Sequence, residues 1–149
     1  MTISTKALQK TGPNEPFEVV TIQCREPRAD DVVIDIKAAG ICHSDIHTIR
    51  NEWGEAHFPL TVGHEIAGVV SAVGEEVTKF KVGDRVGVGC LVNSCGECEQ
   101  CEAGMEQNCL KGGVGTYNIH GCRWHDYSGR LCGKDRGESG LRPTHPGGP

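Results

Sequence analysis

The sequence predicts a mainly β fold with short helices, a barrel or sandwich carrying a cysteine-clamped metal lobe. Three observations predict it. Over residues 1–92, Val- and Ile-rich runs alternate with glycine-marked turns. Residues 95–109 then read "CGECEQCEAGMEQNC", four cysteines spaced C-x2-C-x2-C-x7-C. Finally the apolar content collapses: residues 1–92 hold 24 Ile, Leu or Val, whereas residues 118–149 hold three.

Each element has its own signal. "FEVVTIQ" (17–23) and "DVVIDIKAAG" (31–40) are strands by their branched side chains. In the second, Val33 cannot share a face with Val32, Ile34 and Ile36, so burial is expected on both faces. "ICHSDIHTIR" (41–50) spaces Ile41, Ile46 and Ile49 as a short helix does, with Cys42 or Ser44 near its start. "GHEIAGVVSAVG" (63–74) is a strand whose glycines predict a bend or bulge. "GDRVGVG" (83–89) opens on a turn and runs into another strand. "GGVGT" (112–116) is glycine-rich, but it lacks the spacing and the strand–helix context of a dinucleotide loop, and it reads as a plain loop.

Composition narrows the chemistry. Fifteen basic against twenty acidic side chains give a net charge of −5, which leaves no footprint for nucleic acid. No apolar run approaches the roughly 18 residues that span a bilayer, so no membrane role is expected. "MTISTKALQKTG" has no charged n-region followed by an apolar h-region, so the expected compartment is the cytoplasm, where thiols stay reduced. Nine cysteines is an odd number, which a disulfide framework would leave with one over.

The clustered cysteines therefore read as a metal site. Cys95, Cys98, Cys101 and Cys109 supply four soft ligands, the set that tetrahedral structural zinc takes. Gly96 and Gly104 give the loop the freedom to turn around an ion. A nucleic-acid zinc ribbon would separate two C-x2-C knuckles by roughly 15–20 residues, and a redox dithiol would need only one. A closed zinc site holds a lobe together and catalyses nothing.

A second constellation carries the chemistry. "CHSDIH" (42–47) and "GHE" (63–65) supply thiol, imidazole and carboxylate. Catalytic zinc takes three protein ligands and leaves one position open. Cys42 and His64 are candidate ligands, with Glu65 a third ligand or a group behind them. Ser44 and His47 have the chemistry to pass a proton, and Asp45 to orient a ligand imidazole. Singly, each has a plainer reading: a lone cysteine is most often a small buried hydrophobe.

The segments "AAGICHSDIH", "EWGEAHFPLTVGHEIAGVVSAVG" and "KVGDRVGVGC", followed by the four-cysteine lobe, occur in that order. Over about residues 5 to 117 the chain resembles the zinc-dependent medium-chain alcohol dehydrogenases, in particular their cinnamyl-alcohol-dehydrogenase-type branch. That resemblance implies a GroES-like, partly open barrel over residues 1–117. It implies catalytic zinc on Cys42 and His64 with Glu65 adjacent, a proton relay of Ser44 and His47, and structural zinc on Cys95, Cys98, Cys101 and Cys109. It implies a substrate pocket wall at Trp53, although an ordinary core or surface tryptophan fits the sequence equally. The implied reaction is hydride transfer between a small alcohol or aldehyde and NADP(H). Val62 departs from the family, which usually has proline before "GHE", and this should alter loop stiffness more than ligation.

Residues 118–149 fit none of this. They hold seven Gly, three Pro and four Arg without a period, and they read as a disordered tail. If the frame is moved by one nucleotide from the second base of the Arg123 codon, permitted codons can encode DGTTTQGGYAEKIVVKAAFVLRIPEG. That string resembles the family's continuation, so a frameshift near residues 118–123 is expected. The Rossmann domain and the family's third ligand cysteine are then missing, since neither Cys122 nor Cys132 has a comparable context. The expected product is a truncated catalytic-domain fragment, inactive alone. The alternative is a stand-alone zinc-binding GroES-like interaction module.

Overall fold

A computed structural model describes residues 3–24, 26–118, 130–134 and 141–143, the last two segments as backbone. Nine strands and two short helices follow one another as β1 (Ile3–Gln9), β2 (Glu18–Cys24), β3 (Asp31–Gly40), α1 (His43–Ile49), β4 (Glu65–Val73), β5 (Arg85–Val88), β6 (Leu91–Asn93), α2 (Glu99–Glu102), β7 (Val114–Gly115), β8 (Arg130–Lys134) and β9 (Leu141–Pro143). A 3-10 turn at Glu106–Asn108 follows α2.

The strands form three sheets: β1 with β2, β6 with β7, and a five-stranded sheet in the order β8-β3-β4-β5-β9. Among the described residues all strand pairings are antiparallel, and the sheets do not close into one barrel. This is the mainly β, partly open architecture that the sequence predicts. β1 and β6 are strands its reading overlooked. "ISTKALQ" has few branched apolar residues, and it is a strand because "EVVTIQC" pairs with it in full register.

The core lies on one face of the large sheet. Val32, Ile34, Ile66, Val70, Val86 and Val88 pack with Phe80 and Val92. Each fully buried Val or Ile contributes about 1.5–3 kcal/mol relative to exposure. Val33 is buried as well, so β3 is covered on both faces as expected. The pairing of β3 with β4 slips twice, between Val33 and Ile34 and between Ile36 and Ala38. These bulges bend the long central pair where the glycine content of β4 predicted a bend.

Two departures concern the C-terminal third. "GGVGT" contains β7, which pairs with β6 and so ties the cysteine lobe at both ends. Within the stretch read as a disordered tail, β8 lies along the outer edge of β3 and β9 along that of β5. An open sheet edge presents unpaired N–H and C=O groups, which any extended segment can satisfy whatever its side chains. Apart from Asn118, the rest of that expected tail, including Cys122, lies outside the described residues. No described helix is long and apolar enough to cross a membrane.

Candidate active site and metal centres

Topology brings the second constellation together. β3 and β4 run antiparallel, with Gly40 opposite Glu65 at one end of the sheet. The chain leaving β3 and the chain entering β4 therefore meet there. Cys42 lies two residues beyond Gly40, and His64 immediately precedes Glu65. One ligand atom from each of Cys42, His64 and Glu65 lies within 4.8 Å of the others. Atoms sharing a tetrahedral zinc at bonds of 2.0–2.3 Å lie about 3.3–3.8 Å apart, so the three groups are near enough for small side-chain shifts to bring them onto one ion. Gly40 matters to this packing, because a Cβ there would run into the Glu65 side chain.

Helix α1 arranges the neighbours. The Asp45 carboxylate accepts from the backbone N–H of Cys42 through Oδ2 at 2.9 Å, which fixes the first turn. Its other oxygen, Oδ1, is buried without a hydrogen-bond partner and stands 3.6 Å from Nδ1 of His64. That contact is longer than a hydrogen bond, yet it favours a proton on Nδ1 and leaves Nε2 as a lone-pair donor. Nε2 faces Ser44 Oγ at 3.4 Å. An imidazole oriented by a buried carboxylate beside a thiol and a second carboxylate fits a zinc ligand set.

His47 lies one turn further along α1. Its Nδ1 pairs with the Glu52 carboxylate, and its ring stacks on Trp53 with centroids 4.8 Å apart. The hydrogen bond to His47 holds the Glu52 carboxyl below its ordinary value. Asn51 secures this loop, its Oδ1 accepting from the Ala56 N–H at 2.8 Å. Trp53 is 68% exposed, so it lies on the surface beside His47 rather than in the core.

The cysteine lobe is equally compact. One ligand atom from each of Cys95, Cys98, Cys101 and Cys109 lies within 4.8 Å of the others. Cys98 Sγ is 3.5 Å and Cys95 Sγ 3.8 Å from Cys101 Sγ. A zinc–sulfur tetrahedron with bonds of about 2.3 Å has edges of about 3.8 Å, whereas a disulfide is about 2.0 Å. Gly96 and Gly104 adopt φ of 71° and 72°, the left-handed turns expected of them. Backbone N–H groups of Leu110 and Cys101 hold the Cys98 thiol down at about 6, so it ionises readily.

The sequence reading missed Glu52, Tyr117 and Asn118. Glu52 has a faint local signal, since it follows the end of α1 within reach of His47. Tyr117 and Asn118 have none. They lie beyond the cysteine lobe, yet Tyr117 stacks on His64 with ring centroids 5.8 Å apart and planes inclined by 14°. Burial, followed by the neighbouring Asp45, pushes its phenol up to about 12, so it stays protonated.

Comparison with known proteins places the fold. The chain is 60% identical over 107 residues to the NADP-dependent alcohol dehydrogenase C of Mycobacterium bovis, a match spanning 72% of this chain and 31% of that protein. The crystal structure of CAD from Helicobacter pylori complexed with NADP(H) superposes with a TM-score of 0.83 at 41% identity, covering 91% of this chain and 40% of that one. A cinnamyl alcohol dehydrogenase from Sorghum bicolor gives a TM-score of 0.79 at 37% identity, covering 89% of this chain and 39% of that one. The chain thus spans about a third of the length of the curated relatives it matches. Residues 28–129 match the family described as the alcohol dehydrogenase GroES-like domain. Matched over that range and folded as its solved relatives are, this chain belongs to the alcohol dehydrogenase GroES-like domain family.

Proposed function

We propose that this chain is the N-terminal catalytic-domain portion of a zinc-dependent alcohol dehydrogenase, which in its complete form interconverts alcohols and aldehydes with NADP(H). The observation that carries this reading is the convergence of Cys42, His64 and Glu65 within 4.8 Å, beside a serine–histidine–carboxylate series. A binding module has no use for that series.

Cys42, His64 and Glu65 would hold the catalytic zinc, and Cys95, Cys98, Cys101 and Cys109 the structural one. When bound, zinc supplies Lewis-acid polarisation of a hydroxyl and NADP(H) the hydride acceptor or donor. The chain's own residues orient the substrate and move the proton. Asp45 holds the His64 ring. Ser44, whose Oγ faces His64, would accept the hydroxyl proton of a substrate seated there while giving up its own hydroxyl proton toward His47. His47, three residues on along the same helix, passes the charge toward solvent, with the Glu52 carboxylate stabilising its protonated ring. Trp53 walls one side of the approach.

A polypeptide of these 149 residues alone is expected to be inactive, and the frameshift reading of residues 118–149 supplies a reason. Coding DNA incompatible with the shifted string would end that explanation. The metal assignment is tested by zinc analysis of the purified chain. One tight equivalent and one weak equivalent are expected, with Cys42→Ser removing only the weak one. If Cys42→Ser retains both equivalents, the catalytic-metal reading is wrong and the interaction-module reading gains.

A further inference from the structure

We propose that Tyr117 is a positioning residue for His64, held over its ring by the segment Thr116–Asn118. The inference rests on the metal-site reading above and names the group that keeps His64 ready as a ligand.

The need for such a group follows from the local backbone. His64 succeeds Gly63, which adopts φ of 126°, a conformation suited to glycine. Val62 precedes it, where a proline would have stiffened the chain. The main chain around His64 is thus held weakly by its own residues. The edge of the ring has partners, with Nδ1 3.6 Å from Asp45 and Nε2 3.4 Å from Ser44. Neither contact stops the ring from tilting about that edge. A nearly parallel aromatic ring does, and Tyr117 supplies one at 5.8 Å.

Tyr117 is itself fixed on both sides. The Thr116 N–H donates to Cys90 O at 3.1 Å, and the buried Thr116 hydroxyl donates to Gly89 O. Gly89 and Cys90 follow β5, whose last residue Val88 pairs with Ile66, so they lie at the same sheet end as His64. On the other side, Asn118 adopts φ of 58° and its Oδ1 accepts from the His57 N–H at 2.8 Å. Asparagine tolerates that left-handed backbone better than most residues. Asp45, Thr48 and Ser44 all face the phenol, so it meets the same carboxylate that orients His64. The segment joins the cysteine lobe, through β7, to the ring of a ligand on the other centre.

The test uses the full 149-residue chain and cobalt(II) as the probe metal. In the metal-free chain, nitrogen NMR reads the His64 tautomer. With cobalt, the charge-transfer band lost in Cys42→Ser reports the second centre separately from the four-cysteine lobe. Tyr117→Ala is expected to mix the His64 tautomers and to weaken cobalt at the second centre about tenfold or more, as loss of a group behind a ligand does, while the lobe keeps its affinity. Tyr117→Phe, which keeps the ring, should stay within about threefold on the same scale. Tyr117→Leu, which keeps bulk without a flat ring, should behave as Tyr117→Ala and guards against collapse of that variant. Wild-type tautomer and cobalt affinity in Tyr117→Ala or Tyr117→Leu would overturn the proposal, as would equal loss at both centres. If the wild-type chain shows no band dependent on Cys42 but its His64 tautomer responds to Tyr117→Ala, positioning stands and the metal reading falls.

Discussion

Asp45 illustrates how one short side chain serves two ends. One oxygen closes the first turn of α1, and the other, buried, stands beside the His64 ring. Glu52 acts at the far side of the same helix, against His47. Its carboxyl titrates below the ordinary 4.5, the hydrogen bond to His47 being the largest cause. Because the folded-state value is depressed, the pairing stabilises the fold above the unfolded carboxyl range, and the contribution drains away as pH falls through the folded value. Replacing the imidazole reverses the shift. In His47→Asn the Glu52 carboxyl is expected to rise toward 4.5, read by carbon NMR of the side chain across pH 2–7. An unchanged titration would show that His47 does not set the charge of Glu52, and the proton path would then need another terminus.

The central strand pair shows why glycine stands where it does in β4 and just past it. At Gly68 a Cβ would strike the Ile34 side chain and the Asp35 carbonyl oxygen. At Gly74 it would strike the carbonyl oxygens of Arg28 and Ala29, while the Gly74 N–H donates to Asp31 O at 2.8 Å. Backbone oxygens cannot step aside as a side chain does. Gly74→Ala is therefore expected to lose about 1–3 kcal/mol, the usual cost of forcing atoms into a packed site. Urea unfolding should show a lower midpoint with an unchanged slope. A neutral result would mean that the Arg28–Ala29 turn relaxes freely. Gly87, where a Cβ would meet the Ile66 carbonyl at 3.5 Å among the described residues, should tolerate alanine better and serves as the comparison.

Across the whole molecule the two centres depend on different things. The cysteine lobe between β6 and β7 has few buried apolar groups of its own, Cys101 and Cys109 being its buried apolar residues. On the proposed metal reading its order comes from ligation, since metal-binding free energy serves as folding free energy in such loops. Removing zinc with a strong chelator, or changing Cys109→Ser, should expose the remaining lobe thiols to alkylation and leave the apolar cluster of β3, β4 and β5 folded. Global unfolding in either case would show that the lobe supports the barrel rather than hanging from it. The segment Thr116–Asn118 predicts one transmitted effect: loss of the lobe should also loosen His64.

Much of this was legible in the chain itself. Branched side chains marked β2, β3, β4 and β5, and left-handed Gly96 and Gly104 stand where the C-x2-C spacing asked for turns. Cys42, Ser44, Asp45 and His47 were candidates because "CHSDIH" sets a thiol, a hydroxyl, a carboxylate and an imidazole within six residues. β1 was not legible, because its few apolar residues make it a strand only through pairing with β2. Composition argued that residues 118–149 cannot build a core, which says nothing against β8 and β9 completing backbone hydrogen bonds at a sheet edge. The sequence alone thus determined which side chains the chain offers: four thiols in one short loop, and a thiol, an imidazole and carboxylates in two other segments. Only the tertiary structure decided that Tyr117 faces His64 across 52 intervening positions in the chain. The reason is physical: ligand chemistry is written in residue types and short spacings, whereas a contact between distant loops depends on which ends of antiparallel strands come to lie together.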